Sequence, residues 1–162
     1  MSIDFFQKKC QEKIDNEIFG LCDDNNGKVA YTDKDNRDKW IATVINNKKK
    51  QIVFTAIDKC IILDSEYPDR ERCDCMLTFD DYIYFIELKN KRKGWKASAI
   101  KQLKSTIKFF IEQNNDNKFR YKKAFICNKK HPYFNVIDNE FELTFFREYG
   151  FRISVQSEIL ID

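Results

Sequence analysis

The chain is predicted to be an α/β protein with a mixed central sheet flanked by helices, and three observations carry that prediction. Apolar side chains recur at three- and four-residue steps near the start and again over residues 95–113, the period of a helix with one buried face. Several short stretches are instead dense in β-branched and aromatic residues and are bounded by turn dipeptides, as strands are. Strands separated by short turns pair antiparallel, whereas the long helical stretch ahead of residues 122–128 is the crossover that a further strand in the same sheet needs.

Element by element, Ile3, Phe6, Cys10, Ile14 and Ile18 fit an amphipathic helix ending near Gly20, since glycine is a common helix stop. Residues 23–39 are polar, contain Asn26-Gly27 and keep no apolar period, which reads as a loop. Residues 40–45 and 51–57 read as two strands of a hairpin around Asn46-Asn47-Lys48-Lys49-Lys50. Residues 60–63 extend or follow the second strand, and residues 64–70, with Pro68, form a surface loop. A second hairpin spans residues 72–79 and 82–89, turning at Asp80-Asp81. Gly94 then breaks the chain before the helix at 95–113, whose Ala99, Leu103, Ile107, Phe110 and Ile111 share one side. After a polar loop, residues 122–128 and 150–161 read as the last strands.

A chain of 162 residues fits one domain, residues 1–162, and is long enough to bury a core without covalent staples. With 43% apolar and 34% charged residues, and only four Gly and two Pro, it is neither disordered nor fibrous. No apolar run reaches the roughly 18 residues of a membrane span. The opening residues lack the basic-then-apolar order of an export signal, so the expected address is cytoplasmic and all six cysteines are expected to be reduced. Cys73-x-Cys75 with Cys60, Cys127 and His131 holds zinc-ligand types but no paired spacing, and buried thiols are the plainer reading. A net charge of +3 is too small to imply a polyanionic partner by itself.

The chemistry lies in Arg72-Cys73-Asp74-Cys75 and Ile86-Glu87-Leu88-Lys89. Alternation along a strand puts Glu87 and Lys89 on one face and Leu88 on the other, and the hairpin brings Asp74 beside Glu87 at an exposed sheet edge. Two converging carboxylates form a hard oxygen site suited to Mg²⁺. A neighbouring lysine can orient or activate a metal-bound water and stabilise charge on a phosphate. Such a trio suits phosphodiester hydrolysis.

Here the sequence resembles the PD-(D/E)XK nuclease superfamily, through Asp74, Glu87-Leu88-Lys89 and a following helix with Gln102. The order of elements from Ile3 to about Asn128 also fits that family's helix, three strands, helix, strand core. The resemblance implies a restriction-endonuclease-like core and a metal-dependent nuclease. In it, Asp74, Glu87 and the Leu88 carbonyl would bind Mg²⁺ or Mn²⁺, and Lys89 would assist the attacking water. Cys73 stands where the motif's name has proline.

On the first expected helix Glu17 lies within the inward face, so it is a candidate site acid as well as an ordinary helix-edge residue. Gln102, near Ala99 and Thr106, is either a site amide or one satisfied by backbone groups. Asp58 could reach the site or begin a turn. Lys101, Lys104 and Lys108 form a basic stripe, extended by Lys91, Arg92, Lys93 and Lys96, which could hold phosphates of a nucleic acid, above all DNA, or be a solvated face. Trp95 could stack on an unpaired base or cap its helix. The alternative function is a catalytically inactive nuclease-fold protein, such as an immunity or antitoxin-like partner of a toxin. Asp23-Asp24, Asp33, Asp35 and Asp38 would then be its docking surface.

Overall fold

The computed structural model describes residues 3–113, 118–133 and 135–162, so the first half of the polar loop expected after the long helix falls outside it. Among the described residues, ten strands form two mixed sheets, and two α-helices cover one of them. In chain order the elements are β1 (Gln11–Ile14), β2 (Ile18–Cys22), β3 (Tyr31–Asp33), β4 (Ala42–Ile45), β5 (Ile52–Ala56), β6 (Cys75–Phe79), β7 (Tyr82–Lys89), α1 (Trp95–Glu112), β8 (Tyr121–Asn128), α2 (Asn139–Tyr149), β9 (Arg152–Val155) and β10 (Glu158–Leu160). The larger sheet runs β1-β5-β6-β7-β8-β9 and the smaller β10-β4-β2-β3. From β1 to β7 the large sheet is antiparallel, and β7, β8 and β9 are parallel.

The large sheet is apolar on both faces because both are covered. Ile83 and Phe85 of β7 join α1 residues Ala99, Leu103, Ile107 and Phe110 in one core. The alternate residues Tyr84, Ile86 and Leu88 face Phe19, Leu21 and Val44 of the small sheet in a second core. The order of layers is therefore helices, large sheet, small sheet.

The β6–β7 hairpin, the long helix and strand β8 match expectation. Asp80 takes a left-handed φ of 49° in the hairpin turn, and Gly94, at φ 67°, starts α1. Other expectations are corrected. The first segment is not a helix: a single 3₁₀ turn at Lys8–Cys10 leads into β1 and β2, because pairing of β1 with β5 and of β2 with β4 satisfies the backbone instead. The two strands expected to pair as a hairpin exist as β4 and β5, but they belong to different sheets. Fully buried Asn46 makes the crossing: its amide reaches the Asn16 and Lys50 carbonyls, and its Oδ1 accepts the Lys50 N–H. Residues 60–63 form a turn with an isolated bridge from Asp58 to Ile62, not an extension of β5. The loop at 23–39 contains β3 and a 3₁₀ turn at Arg37–Lys39. The last expected strand is two, β9 and β10, one in each sheet, with α2 ahead of them.

Cys10 and Cys60 form a disulfide, which corrects the expectation of six free thiols. The β1–β5 pairing carries the 3₁₀ turn before β1 to the turn after β5, where Cys60 sits. Cys22, Cys73, Cys75 and Cys127 are free and buried. Cys73 packs in the helix-side core and Cys75 in the inter-sheet core, so the pair does not present two ligands to one zinc. No helix among the described residues is long and apolar enough to cross a membrane.

Candidate active site

The hairpin ladder ends at Cys75 opposite Ile86, and its next step sets Asp74 opposite Glu87. Both precede or occupy central strands, so the expected exposed sheet edge is corrected: the site lies at strand ends under α1, with Asp74 6%, Glu87 2% and Lys89 9% exposed. An Asp74 carboxylate oxygen accepts the Leu88 N–H at 2.7 Å, and the Asp74 carbonyl accepts the Ile57 N–H at 2.9 Å. These two bonds fix Asp74 beside Glu87.

Lys89 is clamped from three directions. Its Nζ lies 3.2 Å from Glu87 Oε2, donates to Gln102 Oε1 at 2.6 Å and approaches Ser98 Oγ at 3.2 Å. Ser98 and Gln102, one helical turn apart on α1, also bond each other. Gln102 Nε2 reaches back toward the Arg72 carbonyl, and the Thr106 hydroxyl accepts the Cys73 N–H at 2.7 Å. Helix α1 thus grips the segment before Asp74 and the end of β7 together. Gln102 is satisfied by the lysine as well as by backbone, which joins its two expected roles.

Burial raises the pKa of both carboxyls. For Asp74 the charge of Glu87 raises it further, and the Leu88 N–H opposes the shift. Glu87 is pushed up to about 7, with Lys89 opposing. The two carboxyls sit opposite each other in the ladder, and like charges buried together favour holding a proton unless a cation replaces it. A third carboxyl contributes: Asp23, half-buried just beyond β2, adds its charge to both and raises their pKa further. Sequence reasoning placed Asp23 only in an acidic docking surface. The rest of that cluster is partly engaged within its own loop, with Asp33 holding Trp40 Nε1 and Asp24 holding the Tyr31 hydroxyl.

Among the described residues no three His, Cys, Asp or Glu side chains make a ready-made metal cage. The residues do fit an Mg²⁺ that keeps most of its waters: Glu87 Oε1 is buried with no partner among the described residues, and it sits in an all-oxygen donor set.

Two other expected acids are elsewhere. Glu17 is exposed in the β1–β2 turn, where its carbonyl accepts the Asn46 N–H, because the helix that would have aimed it inward does not form. Asp58 instead accepts Arg72 Nε at 2.7 Å, in a cluster that also ties Arg72 to Asp64 and to the Tyr67 and Arg70 carbonyls. Lys91, Arg92 and Lys93 are exposed just past Lys89, with Asn128 pinning the Lys91 backbone at 2.7 and 3.2 Å. Lys96, Lys101 and Lys108 are exposed on α1, whereas Lys104 is half-buried over the Phe141 ring. Trp95 caps its helix: it is 6% exposed and covered by the stacked His131 ring, so it is not open to a base.

Compared with family models, curated proteins and solved structures, the chain gives no match.

Proposed function

We propose that this chain is a metal-dependent nuclease that hydrolyses phosphodiester bonds, above all in DNA, on a restriction-endonuclease-like core. The observation that carries the reading is the buried pair Asp74–Glu87, with an unpartnered Glu87 oxygen and a clamped lysine alongside. A salt-bridged strand end has no reason to bury two mutually repelling carboxylates and leave one oxygen unsatisfied. A divalent cation would relieve both costs.

Asp74, Glu87 and the Leu88 carbonyl would hold Mg²⁺ or Mn²⁺, and Asp23, whose charge acts on both carboxyls, would bind one of its waters. The bound metal would supply an acidified water and charge compensation at the phosphate. Lys89, held by Gln102 and Ser98 beside Glu87, would have its charge in position for that water and the phosphate before substrate arrives. Exposed Lys91, Arg92, Lys93 and Lys96 would neutralise flanking phosphates of a strand, with Lys101 and Lys108 farther along α1.

Purified protein is expected to nick or degrade DNA with Mg²⁺ or Mn²⁺ and to stop when the metal is chelated. Lys89→Ala should lose cleavage by on the order of 10²-fold or more while still binding Mn²⁺ by calorimetry, whereas Glu87→Ala should lose both. If DNA and RNA substrates stay intact in both metals while a partner protein co-purifies, the inactive binding-protein alternative replaces this reading.

A further inference from the structure

A groove of about 500 Å³ lies between β4, the β9–β10 turn and the loop after β8, lined by Arg37, Trp40, Lys129, Tyr133, Ser157 and Leu160 among others. Lys129 and Ile41 also line a smaller hollow of about 260 Å³, whose wall includes Asp23 and Asn90. Asp23 is the acid whose charge acts on Asp74 and Glu87, and Asn90 directly follows Lys89. The groove therefore adjoins, through Lys129, a hollow beside the candidate active site.

Apart from one carboxyl, that of Glu158, its lining combines two chemistries. Tyr133 is 83% exposed and Leu160 54%, an aromatic and an apolar face left uncovered. Arg37 lies over the Trp40 ring at 5.1 Å, and Lys129 donates to the Asp38 carbonyl, a neutral acceptor. Among the described residues neither cation has a carboxylate partner within salt-bridge distance. Aromatic and cationic groups side by side suit a nucleotide, whose base stacks while its phosphate is neutralised. The volume is that of a small-ligand site. A base held inside a duplex cannot reach Tyr133, because its faces are already stacked on its neighbours.

Resting on the nuclease reading, we propose that this groove receives an unpaired nucleotide next to the scissile phosphate, so that the substrate is DNA with a single-stranded tail, flap or end. Tyr133 stacks on the base, and Lys129 and Arg37 meet the phosphates leading to it.

The test measures fluorescence anisotropy of the full chain with labelled blunt duplexes and with the same duplexes carrying a 5′ or 3′ unpaired tail, with chelator present so that no strand is cut. At least one tailed duplex should bind about tenfold more tightly than the blunt one, within the range expected for stacking one base. Tyr133→Ala should abolish that preference and Tyr133→Phe should keep it. Equal affinity for tailed and blunt duplexes, or a preference that survives Tyr133→Ala, overturns the proposal. If wild-type protein still cuts blunt duplex with Mg²⁺ in that case, only the groove assignment falls. If it neither binds nor cuts any DNA, the nuclease reading falls too.

Discussion

Glu87 shows what a single buried carboxyl does to the molecule when no cation is present. Its pKa is raised from 4.5 to about 7, chiefly by burial. Between those two values the native state holds a proton that the unfolded chain has released, so stability falls as pH rises through that window and is level above it. The shift corresponds to on the order of 3 kcal/mol. Glu87→Gln should therefore be more stable than wild type in chelator at about pH 8, and the gap should close toward about pH 5, as read from urea midpoints. Added Mg²⁺ should stabilise wild type and leave the glutamine variant unmoved; an equal response from both would remove Glu87 from the metal site. Asp74, Glu87 and Lys89 are legible in the sequence because alternation within one hairpin is a local rule. Asp23 is not, because it arrives from another sheet and nothing near it in the chain announces the meeting.

At the level of elements, the misread first segment turns on Gly20. Ile3, Phe6, Cys10, Ile14 and Ile18 fit a helical period, and Gly20 resembles a helix stop. The same glycine sits in β2 under the Trp40 indole, and a Cβ there would lie 2.0 Å from Trp40 Cγ. It is a site of close approach across a strand, the other meaning of a strand glycine. Gly20→Ala should expel the indole, break its bond to Asp33 and cost about 1–3 kcal/mol, the price of overpacking. A red-shifted tryptophan emission together with a lower melting temperature would report it; an unchanged spectrum would contradict the packing. Helix α2 carries its own sequence signals: Asp138 caps it by accepting the Glu140 N–H, Gly150 ends it at φ 76°, and Phe141, Phe145 and Tyr149 repeat every fourth residue. The β4–β5 hairpin failed for a different reason. Local pattern identifies both strands but does not say which sheet each joins, and Asn46 decides that through tertiary hydrogen bonds.

For the whole molecule, the Cys10–Cys60 bridge closes a loop across a sequence separation of 50 and ties the entry of β1 to the exit of β5. Thiol titration in denaturant without reductant should find four reactive groups, not six. Reduction, or Cys60→Ser, should lower stability by about 2–4 kcal/mol, read from urea midpoints. Six reactive thiols would mean that the bridge does not form. The α/β class and the helix-side core follow from periodicity along the chain. The second sheet does not, since its order, β10-β4-β2-β3, gathers strands from both ends of the sequence.

That gathering has a consequence for synthesis. Strand β4 emerges from a ribosome long before β10, which lies parallel to it and pairs with it along Thr43 to Ile45. Until the last strand is released, β4 presents a bare backbone edge with the apolar Ala42 and Val44 beside it, the kind of surface that nascent chains join to one another. The inter-sheet core, to which Ile159 belongs, is then completed only when β10 is free to pair. A chain so threaded withholds that layer until β10 arrives, and is most in need of a chaperone just before that moment.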